Sequence, residues 1–427
     1  MKKVVLAYSG GLDTSVAVAW LREEHDAEVV TLTVDVGGGS LREHIAQRAM
    51  AAGATSAYVV DARETFVRDF CWPSLQADAR YQGAYPLATA LARPLIAQLL
   101  VEVAQREGAD AVAHGCTGKG NDQVRFDVAV HALDPSLEVV APLRVGMGLT
   151  REEEMAYAAD RGIPVPVSVE SPYSVDVNLW GRSIETGILE DPWAAPPADV
   201  YRWTVAPSEA PAARDIVVAF AGGVPVAIDG AKVSEVDLVE QLNRLGGQHG
   251  VGRIDHVEDR LVGIKSREIY EAPAAVILLT AHAALEGLTL SKEQLRFHRS
   301  VSDEIAQATY DGLWFSALQR DLRGFVRSSQ RVVNGDVRLR LDHGSAVVTG
   351  RRSDHSLYDH GLATYDTGDS FDHAAAVGFI RIWGLPVVTE ASRRGSAAGG
   401  TQPLLDSLSV ETAGRSQPWM SGPESRS

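Results

Sequence analysis

The chain has 427 residues, 45% hydrophobic and 22% charged, enough for one to three self-sufficient cores and too apolar for wholesale disorder. Its 40 basic and 56 acidic side chains leave a formal net charge of −16, which argues against a surface that grips nucleic acid by neutralising phosphates but leaves room for a local basic pocket. Two cysteines, Cys71 and Cys116, cannot make a disulfide framework or a metal cluster, and so few thiols point to a reducing compartment.

The opening MKKVVLAYSGG has an apolar run only from Val4 to Ala7, too short for a signal peptide, and no window approaches a membrane span. A soluble cytoplasmic protein is the expectation. From Val4 to about Pro166, β-branched runs alternate with helical periodicity. Strands are expected at Lys3–Tyr8, Glu28–Val34, Ala57–Val60, Ala111–Ala113 and Glu138–Ala141, with helices at Thr14–His25, Leu41–Ala52 and Ala92–Glu107. That alternation predicts right-handed crossovers and a parallel sheet, with ligands beyond the carboxyl ends of its strands.

Residues 167–215, rich in Pro, Trp and acidic side chains, read as a long ordered excursion without a regular layer. Hairpins follow at Ile216–Ala221 with Pro225–Ile228 and at Asp336–Leu341 with Ser345–Gly350, around helices near Val236–Leu245 and Ala274–Leu285. This is the pattern of an α+β domain. The 39 residues from 389 to 427 hold 8 Ser, 5 Gly and 3 Pro and read as a disordered tail, with Leu404–Val410 its one candidate helical turn.

Between the first strand and helix lies Ser9-Gly10-Gly11-Leu12-Asp13-Thr14-Ser15. Paired glycines let backbone approach an anion, the hydroxyls can donate, and the helix offers unpaired N–H groups and a positive dipole end. A plain strand-to-helix turn capped by Asp13 or Thr14 fits the same residues. The Walker pattern does not fit, because Gly118-Lys119 has Ala113 five positions before it and Gly120 after it.

The run SGGLDTS resembles the pyrophosphate loop of the N-type ATP pyrophosphatases. A second dense run after a strand, His114-Gly115-Cys116-Thr117-Gly118-Lys119-Gly120-Asn121-Asp122-Gln123-Val124-Arg125-Phe126, narrows the choice. With Tyr85-Pro86-Leu87 through Ala92-Arg93-Pro94, Asn178–Ser183, Gly250–Asp255, Ile264–Pro273 and Trp383–Pro386, it resembles the argininosuccinate synthase family, collinearly from Val4 to about Pro386.

The resemblance implies an adenine nucleotide alpha hydrolase-like, doubly wound domain at 1–166 and an α+β synthetase and multimerisation domain at 167–388. It implies an AMP-forming ligase of arginine biosynthesis, a homotetramer, acting on citrulline and aspartate with ATP and Mg²⁺. Ala7, Tyr8, Ser9, Gly10, Gly11, Leu12, Asp13, Thr14, Ser15, Val34 and Gly115 would then hold the nucleotide. Thr117, Asn121 and Asp122 would hold aspartate. Tyr85, Asn121, Arg125, Ser174, Ser183, Glu258 and Tyr270 would hold citrulline, Arg125 matching a carboxylate with its planar fork. Asp13, Lys119 and Asp122 would carry the catalytic work, with Asp13 either helping to hold Mg²⁺ or capping a helix. His114 reads equally as a base or as a support for its loop, and Cys116 as a small hydrophobe.

Five positions depart from the family pattern: Gly38 for a Gln, Ala88 for a Gly, Leu143 for a Trp, Val177 for a Glu and Asp259 for an Asn. They admit two other readings: a specialised paralogue with a different ureido or amide acceptor or a different amine, and a non-catalytic scaffold. The retained SGGLDTS and TGKGND count against the scaffold.

Overall fold

Val4 and Leu6 of the first strand point to one face of a sheet and Val5 to the other, yet all three are fully buried, as expected when helices cover both faces of a parallel sheet. The structure, a computed structural model, describes residues 1–39, 44–164, 172–394 and 408. Strands β1 (Lys3–Ala7), β2 (Glu28–Asp35), β3 (Ser56–Asp61), β4 (Ala111–Ala113) and β5 (Glu138–Val140) pair in parallel in the order β3-β2-β1-β4-β5. The helices Leu12–His25 and Ile45–Ala51 pack with Val4 and Leu6, and Ala88–Glu107 and Asp122–Leu133 with Val5. The chain reverses its direction of travel between β1 and β4, where such sheets open a crevice at their carboxyl ends.

The expected helix at Ala92–Glu107 starts four residues earlier, at Ala88, because its N-terminus is capped from outside the helix. The Tyr85 hydroxyl accepts from the backbone N–H groups of Thr89 (2.9 Å) and Ala90 (3.4 Å). A propensity reading sees Pro94 and starts the helix beside it; the Tyr85 phenol, just before the first turn, is not among the residue types that mark a helix start. Of the helix expected at Leu41–Ala52, residues 41–43 lie outside the described residues.

The excursion expected at 167–215 contains regular structure. Strands β6 (Ser174–Asn178) and β7 (Gly181–Glu185) form a tight hairpin there. With β11 (Arg253–Asp259) and β12 (Lys265–Glu271) they make a four-stranded antiparallel sheet, β11-β12-β7-β6. The irregular remainder is gathered by one carboxylate. Fully buried Glu271 accepts from Arg182 Nη1 (2.8 Å), from the backbone N–H groups of Arg202, Trp203 and Thr204, and from the Thr204 hydroxyl (2.7 Å). Such a satisfied buried ion pair orders backbone that has no ladder of its own.

The second antiparallel sheet, β10-β9-β8-β13-β14, joins β8 (Arg214–Ala221), β9 (Val224–Ile228), β10 (Ala231–Lys232), β13 (Gly335–Asp342) and β14 (Ser345–Arg352), as the two expected hairpins require. The helix Pro273–Thr289 runs through the core beside them, with Ile277, Leu278 and Leu285 fully buried.

That helix also buries His282 and Glu286 against His298 and Gln330, whose amide donates to Glu286 at 2.6 Å. Burial pushes the Glu286 carboxyl up to about 7, against the opposing pull of His298 and the Gln330 hydrogen bond. A carboxyl raised in the folded state binds its proton more tightly there, so its contribution is intact below about 4.5 and lost as pH rises through about 7. Glu286→Gln should remove up to about 3 kcal/mol of that loss. Thermal melts should show the variant gaining on the parent at pH 8 relative to pH 5; an equal difference at both pH values contradicts this.

Contacts divide the chain into Met1–Tyr358 and Asp359–Ser427. The second unit carries the helices His373–Trp383 and Leu385–Arg394, bent by 42° relative to each other. The latter helix extends to residue 394, into the stretch expected to be disordered from 389. Most of the candidate turn at Leu404–Val410 lies outside the described residues. Among the described residues no single helix is long and apolar enough to cross a membrane.

Candidate active site

Two cavities share a wall residue, and the larger lies at the carboxyl ends of β1, β2 and β4. The larger, about 510 Å³, is lined by Ala7, Tyr8, Ser9, Thr14, Val34 and Gly115 among others. The smaller, about 80 Å³, is lined by Tyr85, Asn121, Arg125, Ser183, Glu258 and Tyr270. Asp122 stands on the wall of both.

The loop after β1 is held from within. Ser15 Oγ donates to the Gly11 carbonyl (2.7 Å) and so accepts from the Tyr8 hydroxyl (2.9 Å), while Ser9 and Thr14 pair their hydroxyls at 3.1 Å. Ser15 is therefore a buried brace, whereas Ser9 and Thr14 face the cavity. Gly10 sits at φ +70°, which favours glycine, and lets the chain enter the helix at Leu12. No side chain caps that helix, so its first N–H groups have no side-chain acceptor. Asp13, expected as a cap or a metal ligand, is no cap. It is exposed and hydrogen-bonds Glu154, whose carboxyl is pushed up to about 7 by burial and then by the Asp13 charge.

Sequence reasoning missed Arg48. Its Nε and Nη2 are buried without a hydrogen-bond partner, and Nη2 lies 3.4 Å from where a Cβ on Gly10 would stand. An orphaned guanidinium behind a glycine turn and an uncapped helix end suit a polyphosphate. No local pattern marks Arg48, since its neighbour Gly10 is distant in sequence.

Beyond β4, the backbone N–H of Cys116 donates to His114 Nδ1 (3.2 Å), so the ring proton is on Nε2 and points to Asp127 Oδ1 (2.8 Å). Asp127 also takes Arg144 Nη1 at 2.7 Å. His114 is thereby a buried support for its loop. Burial, then the Asp122 charge, pushes the Cys116 thiol up to about 12, which leaves it inert.

Asp122 is clasped between two guanidinium groups. Arg93 reaches Oδ2 (2.8 Å) and also pairs with Asp176 (3.1 Å), while Arg125 Nη1 reaches Oδ1 (2.8 Å). Burial would raise the Asp122 carboxyl, but Arg93 and Arg125 overcome it and hold it at about 2. Arg125 Nε donates to the Tyr310 carbonyl (2.9 Å), and Gly312, at φ +79°, leaves room beside the Arg125 backbone, where a Cβ would stand 2.8 Å from its Cα. The buried Nη2 of Arg125 has no partner, a donor open to a substrate carboxylate.

Tyr85 stacks on Tyr270 (4.3 Å between centroids), and the Tyr270 hydroxyl donates to Glu258 Oε2 at 2.6 Å. Ser183 meets Thr89, another wall residue sequence reasoning missed, at 3.4 Å. Arg260 and Glu268 also line this cavity; Arg260 pairs with Glu185 and Glu268, and burial raises the Glu268 carboxyl despite that contact. Thr117, Lys119 and Ser174 are exposed and stand on neither wall, and Gly10, Gly11, Leu12 and Asp13 form the turn behind the larger one.

The departures leave the smaller cavity intact. Gly38, at φ +83°, packs so closely that a Cβ would lie 2.5 Å from the Asn178 carbonyl and 2.7 Å from Val177 Cγ1, so the changes at 38 and 177 are one packing solution. Asp259 turns outward to Gln82 (2.7 Å) and Lys265 (2.6 Å). Leu143 lies near Gly115, and Ala88 packs by Gly181.

Residues 3–164 match the arginosuccinate synthase N-terminal HUP domain and residues 173–389 the C-terminal domain of the same family. A protein named argininosuccinate synthase from Dehalococcoides mccartyi is 56% identical over 406 residues, covering 95% of this chain and 98% of its own length. Proteins of that name from Gloeobacter violaceus and Symbiobacterium thermophilum are 58% and 55% identical, covering 90% and 93% of this chain and 97% and 99% of their own lengths.

Proposed function

The chain belongs to the argininosuccinate synthase family and is an ATP-dependent carbon–nitrogen ligase, and we propose that its two cavities join L-citrulline to L-aspartate across Asp122. The observation that carries this reading is the junction itself: a large cavity with an anion-ready loop meets a small polar one at a single carboxylate. The agreement over the whole length does not favour a specialised acceptor.

In the first step the citrulline ureido oxygen attacks the α-phosphorus of ATP. The new bond is O–Pα, the bond to the bridging oxygen breaks, and pyrophosphate leaves. In the second, the aspartate amine attacks the ureido carbon, AMP departs with the former ureido oxygen, and the amine loses a proton. No covalent enzyme intermediate is needed, so the protein's work is positioning and charge stabilisation.

We assign ATP to the larger cavity, its polyphosphate on the uncapped helix end with Arg48 behind Gly10, and its base along Val34 and Gly115. Mg²⁺ would be held mainly by phosphate oxygens, supplying charge neutralisation on the leaving pyrophosphate, since Asp13 is turned to Glu154. Lys119 adds charge on the adenylate. Citrulline enters the smaller cavity with its carboxylate on Arg125 Nη2 and its ammonium toward Glu258, against Tyr85, Ser183 and Tyr270; Ser174, exposed and off the cavity wall, would meet it only from outside. Aspartate takes Thr117, Asn121 and Asp122. We assign the nucleotide work to residues 1–166 and synthesis and multimerisation to 167–388. The exposed Phe379, Ile380, Ile382 and Trp383 give a homotetramer an apolar surface to cover, and the expected location is the cytoplasm.

ATP–pyrophosphate exchange tests the assignment. It should require citrulline and proceed without aspartate; exchange that ignores citrulline contradicts it.

A further inference from the structure

Tyr310 ends the helix Lys292–Tyr310 and is 1% exposed, and it lines neither cavity. Yet it touches four residues of the citrulline pocket. Its hydroxyl lies 2.6 Å from Glu258 Oε1 and 2.7 Å from Asn121 Nδ2, its carbonyl accepts from Arg125 Nε at 2.9 Å, and its ring meets Tyr85 edge-on at 6.4 Å. The Arg125 guanidinium also lies over that ring, 4.8 Å from its centre.

We propose that Tyr310 is a positioning residue for citrulline, its hydroxyl fixing the Glu258 carboxylate and the Asn121 amide in their substrate-binding orientations. The directions of the hydrogen bonds carry the argument. Asn121 Oδ1 accepts from the Leu261 backbone N–H (3.0 Å), so its amide nitrogen faces Tyr310 and donates. The phenol, having accepted there, gives its only proton to Glu258. Tyr270 takes the other carboxylate oxygen at 2.6 Å. Each oxygen of Glu258 is thus held by one phenol, which fixes the carboxylate plane and leaves its remaining lone pairs for an ammonium. Asn121 keeps one N–H for a substrate.

The proposal rests on the assignment of the citrulline ammonium to Glu258. Tyr310→Phe keeps the ring and its stack on Tyr81 (3.5 Å) and removes only the hydroxyl. The bond lost is one to a charged group, and it orients a carboxylate remote from the reacting atoms. The citrulline KM should therefore rise about tenfold, with kcat and the ATP KM within about twofold of the parent. Tyr81→Phe, whose hydroxyl reaches only the Asp259 carbonyl (2.7 Å), should leave the citrulline KM within about twofold. In a Glu258→Gln background, Tyr310→Phe should add less than about threefold, because the residue acts through Glu258.

An unchanged citrulline KM in Tyr310→Phe, or the same rise in Tyr81→Phe, overturns the proposal. A fall in kcat with KM unchanged, or full additivity with Glu258→Gln, does so too. If Glu258→Gln alone leaves the citrulline KM unchanged, the ammonium assignment fails instead and the proposal falls with it.

Discussion

Arg125→Met should lower kcat/KM for citrulline by about a hundredfold or more and leave the ATP KM nearly unchanged. The guanidinium has three duties: Nη1 holds Asp122 at 2.8 Å, Nε holds the Tyr310 carbonyl at 2.9 Å, and Nη2 is the buried donor without a partner. Methionine fills similar volume and performs none of them. The substrate carboxylate loses a charge-assisted bond of about 1.5–3 kcal/mol, and Asp122 loses one of its two cations. Arg125→Lys should recover little, since a point charge cannot serve three directions at once. Steady-state kinetics with each substrate varied in turn checks this. An ATP KM that rises as much as the citrulline KM would place Arg125 at the nucleotide instead.

The second large effect is at Asp122. Asp122→Ala leaves Arg93 and Arg125 facing each other without their shared anion; because the Asp122 side chain is 26% exposed and Arg93 keeps Asp176, the cost falls below the about 3–5 kcal/mol of a fully buried pair. The variant should melt several degrees lower and lose at least a hundredfold in kcat/KM for aspartate. Because the same carboxylate anchors Arg125, kcat/KM for citrulline should fall as well. A variant that raised the aspartate requirement alone would show that Asp122 does not hold Arg125 in solution.

The pH dependence has a definite sign. Asp122 is depressed to about 2, so its stabilisation is complete above about 4 and disappears as pH falls toward 2. The difference in melting temperature between parent and Asp122→Ala should be constant from pH 5 to 8 and shrink only below about 4.

The architecture of the first domain is legible in residue periodicity because each of its contacts is local or repeated: β-branched strands, helical stripes, a glycine turn. The hairpin Ser174–Glu185 escapes the same reading. Its strands are only five residues each, the alternation of Ser174–Asn178 is too short to stand out beside the Pro- and Trp-rich stretch around it, and the loop that follows is held by Glu271, 67–69 residues away from its partners. Within the site, residues in dense motifs such as Asn121, Asp122 and Arg125 stand out in the sequence. Tyr310 and Arg48 do not, since each matters only for what the fold brings to it. The sequence also suggests roles that side-chain directions refine: Ser15 braces the turn, Asp13 faces Glu154, and His114 carries its proton toward Asp127.

The global charge of −16 sets the terms for this chemistry. An acidic protein must attract a polyanion through a few local donors, and here these are loop amides, one helix end and Arg48.

Transfer of the ureido oxygen tests the account most directly. With citrulline labelled by ¹⁸O at the ureido position, one turnover with ATP and aspartate should place the label in the phosphoryl group of AMP and none in pyrophosphate. Label absent from AMP, or found in pyrophosphate, would contradict attack of that oxygen on the α-phosphorus at the junction of the two cavities.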